Sequence, residues 1–281
     1  ASMWVGQQLA DGLDFWGFLG SLILGGIILG IYTGLLGYVG AKTGLSLDLL
    51  SQRAFGEKGS YLPSAMTSFT QIGWFSVGSF VSGGTATPNF ARFAKNGKSG
   101  AITTVVAFFI GNSLMFFFGA VSSIFVGGND IFEVMVRLNL FYLAVLVLGL
   151  NIWTTNDNAL YTAGLGLANI FHQRKKPMVL LSGIIGTVAS VWLYYNFCGW
   201  LNILNCTLPP VGMILVLAYF MNKEDFETDQ PKLKTVDWFA VAGVILGAIV
   251  ANLLHWGIAS INGMVVAAVC YCVGQAVNKR K

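Results

Sequence analysis

The sequence predicts an all-α polytopic membrane protein, and three observations carry that prediction. Only 10% of the 281 residues are charged, where soluble domains carry about 25%. The mean hydropathy is +0.70. The apolar residues are gathered into uninterrupted runs of roughly 20 residues, the length a helix needs to cross the hydrocarbon core. In lipid the backbone must satisfy its own polar groups, and a β-barrel would show alternating segments of about 10 residues instead. The net charge of +4 does not point to nucleic acid, because the basic residues stand in small groups between apolar runs, which is a topology signal.

Taken in order, Ala1 to Leu13 reads as a short, partly polar helix, followed by the acidic linker Asp11–Asp14. The chain opens ASMWVGQQLADG without a basic n-region, so no cleavable signal peptide is expected, and it begins as though an earlier segment preceded it. Trp16 to Val39 is a span with glycines at 20, 25, 26, 30, 34 and 37, spacings that permit close helix contacts. Leu45–Phe55 is amphipathic and is expected at the membrane interface among Lys42, Arg53 and Lys58. Tyr61 to Phe90 is a long stretch rich in glycine and serine. Ile102 to Val126 spans, and the turn GGND leads to a crossing at Leu138 to Ile170. Spans follow at Met178 to Phe197, at Leu201 to Met221 with Pro209-Pro210 inside, at Val236 to Leu254, and at Gly263 to Val277 after a polar break at His255–Asn262. Both histidines fall at span ends or loops, and Cys198, Cys206, Cys270 and Cys272 read as small buried hydrophobes, with no CxxC pair.

The charges fix a topology. Of the 16 Lys and Arg, 15 fall in groups at 42–58, 92–98, 174–176, 223–234 and 279–281, with Arg137 the exception. Placing all five groups in the cytoplasm satisfies the positive-inside rule. Two spans separate each later pair of groups, but only 33 residues lie between Lys58 and Arg92. Two crossings need about 40. Either this stretch dips in and returns, or a segment has been removed from it; removal is the expectation.

Three constellations could carry chemistry. In Leu148 to Leu160, LGLNIWTTNDNAL, the residues Asn151, Thr154, Thr155 and Asn158 share one helical face at i, i+3, i+4 and i+7. Neutral oxygens at membrane depth suit a hard cation, and they equally serve as hydrogen-bonding glue between helices. Asn156 and Asp157 adjoin that face, where the carboxylate either balances a cation or caps a polar patch. Gln71 and Trp74 lie one turn apart; an amide beside a flat ring suits a planar, hydrogen-bonding ligand, or else the Gln bonds a neighbouring helix. GSFVSGGTATP, Gly78 to Pro88, is poor helix material, and an interrupted membrane helix exposes backbone groups to a ligand; the alternative is a flexible packing segment. No Ser/His/Asp grouping, phosphate loop, zinc spacing or paired carboxylates are present, so an enzyme is not expected.

TGLLGYVGAKTGLS, SYLPS with TQIGWF, GSFVSGGTATPNFARF, FFIGNSLMFFFGA and above all LGLNIWTTNDNALYTAGLGLANI resemble the bacterial cytosine permeases of the nucleobase–cation symport family. That resemblance implies about 12 helices: a five-plus-five inverted-repeat, broken-helix fold and two C-terminal helices, in one transporter domain. Against that pattern the chain starts at the break in the first helix. At Gly78–Ser79 it passes from mid third helix into the unwound sixth helix, which restores the parity the basic groups require. The resemblance assigns Gln71 and Trp74 to bonding and stacking on the base, Phe80 to the opposing stack, and Ser79, Ser82 and Gly83 to further hydrogen bonds. Asn156 and Asp157 are second-tier substrate residues. Asn151 through its carbonyl, and Thr154 and Thr155 through their hydroxyls, resemble ligands for a coupling Na+, with Ser2 the nearest survivor of the first-helix ligands. The implied function is sodium-coupled import of cytosine by a monomer in the lipid bilayer of the bacterial inner membrane, multi-pass, with a cytoplasmic C-terminus. Another planar nucleobase or a hydantoin is the alternative substrate, and a truncated, non-transporting membrane protein the alternative class.

Overall fold

The computed structural model describes residues 13–77, 85–127, 131–228, 231, 233–254 and 256–278, and the elements below are all helical. Helix α1 (Phe15–Thr43) starts where the Asp14 carboxylate accepts the Gly17 N–H at 3.1 Å. It ends at Gly44, whose φ of 68° is the left-handed conformation that glycine adopts at a helix C-terminus without penalty. The short α2 (Leu47–Phe55) is capped by Ser46. α3 (Tyr61–Val77) follows, then a single turn α4 (Pro88–Ala91) and the long α5 (Gly97–Val126), which contains a π-helical segment at Ala107–Gly111. α6 (Ile131–Arg137) and α10 (Lys223–Glu227) are connectors. The remaining long helices are α7 (Phe141–Phe171), α8 (Lys175–Tyr195), α9 (Phe197–Met221), α11 (Trp238–Leu253) and α12 (Ala259–Asn278).

Five of these are long and apolar enough to cross a membrane: α1, α5, α8, α9 and α12, with α11 a shorter apolar helix. Three packed groups emerge: α3 with α7 and α8, α1 with α4 and α5, and α9 with α11 and α12. α9 joins the groups through its contacts with α1, α2 and α3. The main core lies at the basic end, where Leu36 and Val39 of α1 meet Leu47, Leu50 and Phe55 of α2 and Val211, Ile214 and Tyr219 of α9.

Glycine decides the closeness of α1 and α5. A Cβ on Gly37 would stand 2.5 Å from Thr104 Oγ1, and one on Gly100 would stand 2.4 Å from Ala41 Cβ. Gly20 and Gly25 meet nothing within 4 Å. The glycine row read in the sequence therefore splits into an interface at its C-terminal part and a free surface at its start.

Three expectations need correction. α2 does not lie on the surface as an interfacial helix: Leu47, Leu50, Ala54 and Phe55 are buried, and so is Asp48. Its apolar face meets protein because the 56–58 strap ties it down, with Glu57 N–H on Lys234 O at 2.8 Å and Lys58 N–H on Thr235 O at 2.9 Å. Of the cysteines described by burial, only Cys206 is buried; Cys270 is half-buried and Cys272 points outward. The expected polar break is shorter than 255–262, since α12 already starts at Ala259. His172 sits at the end of α7, where it shares a 2.6 Å hydrogen bond with the Tyr61 hydroxyl. His255 lies outside the described residues.

Candidate functional site

α3 and α7 run side by side at their basic ends because small residues let the backbones approach. A Cβ on Gly166 of α7 would stand 2.2 Å from Ser68 Oγ and 2.8 Å from Ser64 O. Ser68 uses the approach, donating to Ala163 O at 3.1 Å. α3 gives out first. From Ser64 to Val77 it rises about 20 Å, whereas α7 extends about 37 Å from Gly166 back to Phe141. Most of α7 beyond that reach is exposed: Tyr142 is 88% exposed and Trp153 65%, with Ala144 buried.

Where α3 and α7 part, a cavity of about 820 Å³ opens between them and the α4–α5 segment. Gln71 of α3 and Thr155, Asn158 and Thr162 of α7 line one wall. Phe90, Thr103 and Phe108 line the other, and Phe108 belongs to the π-helical segment. Such segments arise inside α-helices, frequently at functional sites. The walls offer two amides, Gln71 and Asn158, several hydroxyls and aromatic faces, with Lys95 at the rim. Neutral polar groups on an apolar wall orient a small uncharged solute, and 820 Å³ lies within the size range of ligand pockets.

The predicted residues divide as follows. Gln71 and Thr155 meet at the cavity, together with Asn158, which the sequence placed on the polar face without a role. Gln71 is 7% exposed. Trp74 lies one turn further along α3. Asn151 and Thr154 sit on the bare part of α7. There Thr154 donates to the Leu150 and Asn151 carbonyls, both at 3.1 Å, and Thr155 donates to Asn151 O at 2.8 Å. The Asn151 carbonyl thus already serves two hydroxyls. Asn156 Oδ1 is buried with no hydrogen-bond partner among the described residues, and Asp157 is exposed. Ser2, Ser79, Phe80, Ser82 and Gly83 lie outside the described residues.

Sequence reasoning missed a second polar site at the basic end. Asp48, in the first turn of α2, is 5% exposed and accepts Ser64 Oγ–H at 2.6 Å. Behind it runs a directed chain: Gln52 donates to Asn169 at 2.6 Å, and Asn169 donates to Ser64 at 2.9 Å. Burial pushes the Asp48 carboxyl up to about 6, against the pull of the Ser64 hydroxyl, its own backbone and the Arg92 charge. The signal was present in LSLDLLSQ, where Asp48 and Ser51 share a face with the buried leucines.

Comparison with known proteins supplies the context. The family model described as permease for cytosine/purines, uracil, thiamine, allantoin matches residues 1–85 and 76–277. The cytosine permeases of Escherichia coli strain K12 and of the O6:H1 and O157:H7 strains are each 36% identical over 374 positions, covering all of this chain and 88% of their own length. Against 281 residues, a 374-position alignment leaves 93 positions without a residue here. Among solved structures, Mhp1, a nucleobase-cation-symport-1 family transporter in a closed conformation with bromovinylhydantoin bound, superposes with a TM-score of 0.76 at 15% identity. That match covers 98% of this chain and 88% of that one. The inward-facing conformation of Mhp1 gives 0.70 at 15% identity, over 92% and 83%. At this identity the likeness is one of fold.

Proposed function

Because the chain belongs to the family of permeases for cytosine and purines, uracil, thiamine and allantoin, and is thus a multi-pass transporter and not an enzyme, we propose that it imports cytosine by sodium-coupled alternating access. The observation that carries this reading is the cavity in which Gln71 of α3 faces Thr155 and Asn158 of α7. An amide presents a donor and an acceptor side by side, the complement of a pyrimidine edge. Trp74 and Phe80 supply stacking faces on either side of the base, and Ser79, Ser82 and Gly83 further hydrogen bonds. The cytosine permeases of Escherichia coli support this substrate, while the hydantoin bound by Mhp1 favours the second reading, a different planar ring in the same place.

The cation belongs on the polar face of α7. The Thr154 and Thr155 hydroxyls spend their protons on helix carbonyls, which leaves oxygen lone pairs to accept a hard cation. Asn151 contributes its carbonyl once one of the two hydroxyls turns away, and the remaining oxygens, Ser2 among them, come from the N-terminal residues. Thr155 also lines the cavity, so one helix segment serves both sites, and ion and base affinities rise together.

In this reading the protein is a monomer in a bacterial inner membrane, and the positive-inside pattern of the basic groups supports a cytoplasmic position for the ends of α1, α7, α9 and α12. The chain is one transporter domain interrupted at 78/79. The family match breaks at 76–85, and the 93 unmatched positions are enough for the helices that would clothe the bare half of α7. Cytosine affinity measured with and without sodium tests the coupling; equal values refute it. Competition by uracil, adenine, 5-methylcytosine and a hydantoin decides the ring.

A further inference from the structure

Beside the cavity, near the basic ends of α3 and α7, stand two opposite charges that form no ion pair with each other. Asp48 is buried between α2 and α3, and among the described residues it takes part in none of the ion pairs, which join Lys42 to Glu227, Arg137 to Glu133 and Lys234 to Asp237. Arg92 is the charged group whose field reaches it. Other neighbours of Asp48 are uncharged: α3 presents Ser64, and α7 presents Gly166, where a Cβ would stand 3.5 Å from Asp48 Oδ1.

Arg92 is equally ill-matched. It follows α4 directly, beside the cavity residues Phe90, Ala91 and Phe93. Its Nη2 donates to the Tyr161 hydroxyl of α7, its guanidinium lies 4.7 Å over the Phe93 ring, and its Nε is buried with no hydrogen-bond partner among the described residues. Tyr161 carries a second cation, Lys175, 3.4 Å over its ring. A half-buried guanidinium with an unmet Nε, held by a neutral hydroxyl near a buried carboxylate held by another, is a costly arrangement when the two could neutralise each other.

The elements show how Arg92 is held between two packed groups. Arg92 travels with α4, which packs on α1 and α5, whereas Tyr161 and Ser64 belong to the α3–α7–α8 group. Asn89 of α4 links the α4 turn to α2 by accepting the Leu47 N–H at 2.8 Å. A small shift of α4 against α7 would move the guanidinium from Tyr161 towards Asp48.

We propose that Asp48 and Arg92 are the two halves of a latch that closes into an ion pair when the basic end of the cavity shuts, and that Tyr161 holds Arg92 while it is open. This rests on the alternating-access reading, but its test does not require the substrate to be known. The probe is a membrane-impermeant maleimide acting on Ser99→Cys at the cavity wall, in the full chain with its four cysteines replaced. Asp48→Asn and Arg92→Gln should each raise the alkylation rate at least threefold, and the double variant should raise it no further, because either single change already breaks the pair. Asp48→Glu and Arg92→Lys keep their charges and should keep the slow rate. An unchanged rate in Arg92→Gln overturns the latch, and so do additive effects in the double variant. Should Asp48→Asn fail to fold, the contrast between Arg92→Gln and Arg92→Lys decides alone: equal rates refute the pair. Cytosine uptake could fail while the latch holds, and the reverse, so the two readings fall separately.

Discussion

At the scale of single residues, the buried groups make the sharpest predictions. Gln71→Ala removes one donor and one acceptor from the cavity wall, and should weaken cytosine binding about tenfold, the worth of a buried hydrogen bond left unmet. Thr154→Ala and Thr155→Ala should lower the sodium dependence of uptake more than Val145→Ala, which changes an outward-facing residue of the same helix. Asp48 gives a pH signature. Its carboxyl is raised from 3.8 to about 6 in the fold. Between those values the folded protein binds a proton that the unfolded chain has released, so this group's contribution falls as pH rises through that window. The loss at neutral pH is at most about 3 kcal/mol. Asp48→Asn should therefore raise the thermal midpoint at about pH 7.5 more than at about pH 5, measured in detergent; a pH-independent difference would contradict the buried-carboxylate assignment. That Gln71 and Thr155 would stand out from the packing, as they do at the cavity wall, was legible because polar residues are rare in apolar runs. Asp48 was harder to read: its place on the leucine face was a signal, but an acid within an amphipathic helix reads as solvated until the helix is seen to be packed.

Helix contacts belong to the next scale. α1 and α5 approach through Gly34, Gly37 and Gly100, and a larger side chain there must push the helices apart. Gly37→Leu or Gly100→Leu should cost about 1–3 kcal/mol or abolish folding, while Gly20→Leu should be nearly neutral; retention of monodisperse protein on heating measures the difference. Span positions were readable from hydropathy, and the structure moves most ends by a few residues. Which glycines face a partner was not readable, because the small-residue row runs along the whole helix and only the packed neighbour selects part of it. α2 shows the same difficulty: an apolar stripe of Leu47, Leu50, Ala54 and Phe55 fits lipid or protein equally well, and the backbone strap to residues 234–235, far away in sequence, decides for protein.

The whole molecule returns to the mismatch between the charge groups and the short Lys58–Arg92 interval. The described part of α3 reaches about 20 Å beyond Ser64, while α7 continues further with most of its side chains exposed. An exposed Asn151, Thr154 and Asp157 on such a helix would be costly in lipid and call for covering helices. A segment inserted near residue 78 would cover them, and the protein isolated from its native membrane should then exceed 30.2 kDa by about 10 kDa, the mass of 93 residues at this chain's mean. A mass of 30.2 kDa would refute the insertion. The central claim, a cation-coupled permease whose base site lies between α3 and α7, is tested most directly by cytosine uptake into proteoliposomes holding the purified protein. Saturable uptake that requires an inward sodium gradient and is weakened by Gln71→Ala is the predicted result; uptake no greater than in protein-free vesicles, from protein that remains folded and monodisperse, would contradict it.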